Sequence, residues 1–376
     1  MNTSCWVGCI KGVINERERA DMAKIDEPGD VRRGEELDQA KIGTFLKDAI
    51  QNLRGELTIK QFPSGFSNLT YLVKTGDREM ILRRPPFGKK PKTGHDMSRE
   101  YQMLRALKPL FRYCPEPLVY TEDPAIMGCP FYVMERIHGL IIRKDLPEGM
   151  GLTPDQARKL SENLIQVLCE LHSIDYRKAG LGDFGKPEGY VKRQVDGWIG
   201  RYRDARTPDA PDYETVMGWL VEKMPGDSAT PCVIHNDYKF DNVVLNPENP
   251  LEIIGILDWE MATIGDPLMD LGNSLAYWVE KDDPPMAQLV RMIATNIEGM
   301  LTRKEQLDLY SKLTGRNINN FDFYYCFGIF RLAVIAQQIY YRYYNGQTKD
   351  ERFKVLINAV TILETIAKEV IRNTTI

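Results

Sequence analysis

The sequence predicts an α+β fold, with a small, mostly antiparallel sheet early in the chain and a mainly helical remainder. Three observations carry this reading. Short strand-like runs crowd residues 57–137, helical periodicity takes over from Leu152, and two further apolar runs at 243–245 and 251–257 flank a turn-forming Asn246-Pro-Glu-Asn-Pro250. With 376 residues, 43% of them hydrophobic, the chain can build one large or two ordinary domains.

The elements follow in order. Residues 1–40 are crowded with charge and hold Pro28-Gly29, so a mobile extension or exposed helix with little to bury is expected there. Ile42, Phe45, Leu46, Ala49, Ile50 and Leu53 then share one helical face. Strands are predicted over 57–62, 69–75 and 79–84, the last two joined by the tight-turn pair Gly76-Asp77. Alternation along the third sends Arg83 and Arg84 to opposite faces. Asp96 caps a helix that buries Met97, Tyr101, Leu104 and Leu107 and carries Glu100, and strands at 118–121 and 131–137 complete the sheet. Thr153-Pro-Asp-Gln156 combines a cap, Pro at the first helical position and Gln at N3, and opens a helix ending at His172. Helices broken at 207–211, a helix capped by Asp266 and a last helical third centred on 327–344 follow.

Composition narrows the function classes. A net charge of −4 gives no general attraction to nucleic acid or to an anionic membrane, and no apolar run approaches the roughly 20 residues a membrane helix needs. The start, Met1 to Ile10, lacks a basic segment before its short apolar patch and makes a poor signal peptide. Seven scattered cysteines form no disulfide framework, and Cys5 and Cys9 lack a second Cys/His pair for zinc. A cytoplasmic location is the expectation.

The chemistry concentrates in Val233-Ile-His235-Asn-Asp237-Tyr-Lys239-Phe-Asp-Asn242 and Ile256-Leu-Asp258-Trp-Glu260. A hairpin between the two pieces returns Asp258 towards Asp237 and Asn242, clustering two carboxylates and an amide at the mouth of a small sheet. Such oxygens suit phosphoryl transfer, in which one carboxylate takes the nucleophile's proton and others hold Mg²⁺.

His235-Asn-Asp237 through Asn242, Leu257-Asp258-Trp-Glu260 and Gly265-Asp-Pro-Leu-Met-Asp270 resemble the aminoglycoside phosphotransferase (choline-kinase-like) family. More narrowly, they resemble the branch whose relatives include kinase-like domains fused to acyl-CoA dehydrogenases. The resemblance covers about residues 42 to 372. It implies a two-lobed protein-kinase-like fold, with an N-lobe at 41–136 and a C-lobe at 137–376, using ATP and Mg²⁺. It makes Asp237 the base or alcohol-positioning carboxylate, Lys239 a phosphate-neutralising cation and Asn242 and Asp258 the metal ligands. Asp270 would brace the loop, and His235 would orient it.

For the nucleotide, the resemblance implies Gly65, Ser67 and Asn68 in the loop before the second strand, where Gly65-Phe-Ser-Asn68 matches although a full G-x-G-x-x-G is absent. Arg83 stands where kinases place a strand Lys and would pair with Glu100. Met134-Glu135-Arg-Ile137 would form the hinge whose backbone receives adenine. No long Ser/Thr/Tyr-rich segment follows Asp258, which disfavours a regulated protein kinase. The expected activity is therefore phosphorylation of a small-molecule hydroxyl. Arg331 and Arg342 favour a hydroxy acid or hydroxyacyl-CoA as acceptor. A catalytically silent nucleotide-binding regulator and an aminoglycoside- or choline-type kinase are the alternatives.

Overall fold

The computed structural model describes residues 27–63, 68–87 and 96–373. These form two compact units, one of residues up to Gln102 with Pro115–Arg136 and Pro147–Gly149, the other of Met103–Cys114, Ile137–Leu146 and residues from Met150 on.

In the first unit, helix α1 (Gln39–Ala49) starts at Asp38, whose carboxylate accepts the Lys41 N–H. Strands β1 (Leu57–Gln61), β2 (Leu69–Thr75), β3 (Arg78–Arg84), β4 (Pro117–Thr121) and β5 (Phe131–Glu135) make one antiparallel sheet in the order β1-β2-β3-β5-β4. Helix α2 (Met97–Leu107) precedes β4, and a one-turn helix α3 (Pro124–Met127) lies between β4 and β5. Ile42 and Leu46 of α1, with Ile50 just past its end, pack on Tyr71, Val73, Leu82 and Val133 of the sheet, so alternate strand residues face one apolar layer.

Residues 27–38, the described part of the stretch before α1, are tied to the sheet. Gly29 pairs with Gln61, Tyr71 donates its hydroxyl to the Glu35 carbonyl at 2.9 Å, and Val31 and Leu37 pack against the core. The charge count hid these two apolar anchors.

In the second unit, Thr153 and Gln156 form the full capping box of α4 (Pro154–His172). Then come α5 (Tyr190–Ala205), α6 (Glu214–Glu222), the antiparallel pairs β6 (Cys232–Ile234) with β9 (Thr263–Gly265) and β7 (Val243–Leu245) with β8 (Ile253–Ile256), and α7 (Pro267–Leu275). The chain continues through α8 (Pro285–Leu289), α9 (Arg303–Thr314), α10 (Phe321–Tyr344) and α11 (Leu356–Arg372).

Helix α10 is apolar nearly all round, as a helix at the centre of a helical body must be. It crosses α7 glycine to glycine, since a Cβ on Gly328 would stand 2.3 Å from the Gly272 carbonyl oxygen. That close approach fixes two helices that each carry a buried charged residue, Asp270 and Arg331. The five described cysteines are buried and free, and Cys5 and Cys9 lie outside the described residues. Among the described residues no helix is long and apolar enough to cross a membrane.

Candidate active site

The loop from His235 to Asn242 leaves β6 and ends in a 3-10 turn, Phe240–Asn242. Asn236 sits at φ 66° and Asp258 at φ 66°, a left-handed conformation that short polar side chains tolerate better than other residues with a Cβ. Such a bent loop needs its backbone donors satisfied from outside, and Asp270 supplies the acceptors. One carboxylate oxygen takes the His235 N–H at 2.8 Å and the other the Asn236 N–H at 2.6 Å. His172, at the end of α4, donates Nε2–H to Asp270 at 3.1 Å, and its Nδ1 faces the Tyr310 hydroxyl at 2.7 Å. Asp270 is fully buried. Burial alone would raise its pKa, but the His172 hydrogen bond and charge, His235 and the loop amide outweigh it and hold the carboxyl below its usual range.

His235 ties the loop to the next strand. A carbonyl can only accept, so Nε2 carries the hydrogen it gives to the Leu257 oxygen at 3.0 Å. Burial lowers the His235 pKa despite the nearby carboxylates, so the ring is neutral. Its Nδ1 therefore accepts the Asp237 N–H at 3.3 Å. His235 positions Asp237 through the backbone and has no free nitrogen for proton transfer. Asn236 donates to the Met261 carbonyl at 3.0 Å and accepts from Tyr190 at 3.3 Å, while Tyr238 donates to the Leu164 carbonyl at 2.7 Å.

On this frame Asp237, Lys239 and Asn242 converge. The Lys239 ammonium pairs with the Asp237 carboxylate and lies 3.5 Å from Asp241. Asn242 donates its amide to the Asp237 carboxylate at 2.9 Å and to the Asp237 carbonyl at 2.8 Å, which turns its Oδ1 away as an available oxygen. Burial pushes the Asp237 pKa up, but Lys239 and Arg331 outweigh it, and the carboxylate stays ionised at neutral pH. Burial disfavours the Lys239 cation, but Tyr277, Asp237 and Asp241 raise its pKa and keep it charged. Asp258 follows β8, and the Leu257 N–H donates to the Asn242 carbonyl at 2.8 Å, so the hairpin brings the Asp258 and Asn242 segments side by side.

In the first unit, Arg83 Nη1 meets Glu100 Oε1 at 2.8 Å, both residues buried. Arg84 turns the other way, stacking on Phe87 at 3.7 Å and donating to the Pro85 carbonyl at 3.0 Å. Asn68 is buried just ahead of β2, and Gly65 and Ser67 lie outside the described residues. The hinge expectation meets a constraint at Glu135. Its N–H is given to the Glu116 carbonyl at 2.8 Å and its carboxylate takes the Glu116 N–H at 2.9 Å, so Glu135 has no amide to offer adenine. Ile137, in the second unit, packs on Gly255 of β8, where a Cβ would stand 2.6 Å from its Cδ1.

Arg83→Ala should weaken nucleotide binding about tenfold, the scale of one charge-assisted hydrogen bond, and Arg84→Ala should leave it within about twofold. Nucleotide titrations of the two variants check this, and the reverse order would assign the phosphate contact to the other face of β3.

Asp241, Arg143 and Tyr277 escaped the sequence reading, and the two arginines it named near the acceptor part company. Asp241 is held by Lys239 and by Arg143, whose Nη1 donates to the Asp241 carbonyl at 2.9 Å. Tyr277 lies under the Lys239 ammonium at 4.9 Å. Arg331 is buried beside Trp198, whereas Arg342 is exposed and stands apart from this cluster.

Comparisons with known proteins show the family and the fold. Residues 58–299 match the model of the phosphotransferase enzyme family. The chain is 35% identical over 320 residues to mouse (Mus musculus) acyl-CoA dehydrogenase family member 10, covering 84% of this chain and 30% of that protein. It is 32% identical over 324 residues to rat (Rattus norvegicus) acyl-CoA dehydrogenase family member 11, covering 85% of this chain and 41% of that one. The chain thus spans well under half the length of these relatives. A crystal structure from Ralstonia eutropha, assigned to the aminoglycoside phosphotransferases, superposes with a TM-score of 0.74 at 27% identity over 89% of this chain and 99% of that one. Choline kinase from Cryptosporidium parvum shares the fold at a TM-score of 0.56 and 13% identity, covering 89% of this chain and 95% of that one. With its kinase-like fold and its Asp237–Asn242 loop, the chain belongs to the phosphotransferase enzyme family.

Proposed function

We propose that the protein transfers the γ-phosphoryl group of ATP to a hydroxyl of a small molecule, a hydroxy acid or hydroxyacyl-CoA. One observation carries this reading. An ionised Asp237 is bridged to Lys239 and Asn242, on a loop whose Asn242 carbonyl is joined to the segment bearing Asp258. Solved neighbours in complex with ADP and with GDP support nucleotide use, and the names of the curated relatives support an acyl-bearing acceptor.

Among the described residues no three His, Cys, Asp or Glu side chains cluster as a metal site. Mg²⁺ takes one or two protein oxygens and completes its octahedron with water and phosphate, so the Asn242 and Asp258 oxygens suffice in number. Asn242 Oδ1 and the Asp258 carboxylate would hold it, and when bound it supplies positive charge to the phosphate oxygens. Asp237 accepts the hydrogen bond of the acceptor hydroxyl and aims its oxygen. As the oxygen–phosphorus bond forms, the bond to the ADP oxygen breaks and the hydroxyl proton passes to Asp237. The lowered pKa makes Asp237 a weak base, so its main contribution is orientation, with proton transfer late. Lys239 neutralises charge on the moving phosphoryl group. No covalent intermediate is required, and positioning with electrostatics supplies the rate.

The binding half of this reading predicts a thermal shift. MgATP at 100 times its Kd should stabilise the protein by about 2.7 kcal/mol. Asp258→Ala should remove most of the Mg²⁺-dependent part and leave the unliganded transition in place. No shift at millimolar MgATP would contradict the reading.

A further inference from the structure

Arg331 is 97% buried, since only 3% of its surface reaches solvent. Its guanidinium lies 5.2 Å from the centre of the Trp198 ring and donates to the Met261 sulfur at 3.4 Å. A thioether is a weak acceptor, and a cation–π contact offsets only part of the desolvation a buried charge suffers. Arg201, one turn after Trp198 on α5, stacks on the same ring at 4.7 Å and reaches solvent. Among the described residues neither guanidinium has a carboxylate within ion-pair distance. Two arginines on one indole without a counter-charge form an arrangement that an oxyanion would complete.

Its place is set by the loop. Met261, which touches Arg331, also accepts the Asn236 amide through its carbonyl, and Asn236 precedes Asp237. We propose that Arg331 and Arg201, stacked on Trp198, form the receptor for an anionic head group, carboxylate or phosphate, of the molecule whose hydroxyl meets Asp237. This deepens the phosphotransferase reading and rests on it for the hydroxyl. Burial and the Arg331 charge both push the Arg201 guanidinium down, and Arg331 helps draw Asp237 down, as expected of two neighbouring cations beside that carboxylate. Asp237 is not that counter-charge, because it is not within ion-pair distance of Arg331; Lys239 and Asn242 hold its Oδ2 and leave Oδ1 for the acceptor hydroxyl.

The test is calorimetric titration of the full chain at constant ionic strength with butanoate, with inorganic phosphate and with uncharged butanamide, with and without saturating MgADP. An anion should bind saturably with MgADP present and butanamide should not. Arg201→Ala and Arg331→Gln should each weaken the anion at least about tenfold, the loss expected for a charge-assisted contact, while Arg342→Ala leaves it unchanged. Preference for butanoate would assign a carboxylate head, and preference for phosphate a phosphorylated one. Arg201 is exposed, so its variant decides the matter if Arg331→Gln does not fold. Equal binding of butanoate and butanamide, no anion binding, or anion binding indifferent to Arg201→Ala would overturn the proposal. Failure of MgADP to bind would count against the phosphotransferase reading alone, with the nucleotide-free titrations still deciding the arginine receptor.

Discussion

Asp237→Asn should lower phosphoryl transfer by roughly two or more orders of magnitude, the usual scale of acid–base catalysis, while MgATP affinity stays within a few-fold. The substitution keeps an oxygen acceptor for Lys239 and Asn242, so the loop retains its shape. It removes the negative charge that, in the proposed reaction, aligns the acceptor hydroxyl and takes up its proton. The nucleotide side is spared because the oxygens assigned to the metal belong to Asn242 and Asp258. Steady-state rates on the identified acceptor, with MgATP affinity measured alongside, check this. A near-native rate would strip Asp237 of its role.

Asp270→Ala should destabilise the second unit by about 3–5 kcal/mol, the scale for breaking a buried charged network. The His235 and Asn236 amides and His172 Nε2–H all lose their acceptor in a site closed to water. Each orphaned buried donor accounts for about 1–3 kcal/mol of that. Urea unfolding followed by tryptophan fluorescence reports on this unit, because Trp198, Trp219, Trp259 and Trp278 all lie in it. The folded-state pKa of Asp270 is depressed, so its contribution is complete above the ordinary value of 3.8 and is lost as pH falls through the lower folded value. The difference between native and variant proteins should therefore hold steady from about pH 5 to 8.

Much of this was legible in the sequence because local rules act over a few residues. The capping box at Thr153 and Gln156, the Asp266 cap and the turn between β7 and β8 each declare themselves within six residues. Strand alternation separates Arg83 from Arg84, the family resemblance implies Arg83, and Arg83 is the one that meets Glu100. What was hidden depends on long-range packing. Arg143 reaches Asp241 across 98 residues of chain. The Arg331–Trp198 stack joins two helices whose separate patterns announce only core. Arg331 and Arg342 are eleven residues apart and so share a helical face, but that spacing is about 16 Å along the axis. One ends up beside the loop and the other in solvent. Periodicity gives the face and not the depth. The Glu135 N–H is hidden for a similar reason, since it is given to Glu116, just ahead of a neighbouring strand, rather than to anything nearby in sequence.

The most direct test of the central claim is mass spectrometry of a library of hydroxylated small molecules incubated with the native protein, ATP and Mg²⁺, with Asp237→Asn run in parallel. The account predicts that an anionic hydroxy compound gains the mass of one HPO₃ as ATP is converted to ADP, and that this product falls at least about a hundredfold in the variant. Binding of MgATP with no HPO₃ gained by any compound would contradict it, as would an equal yield from the variant.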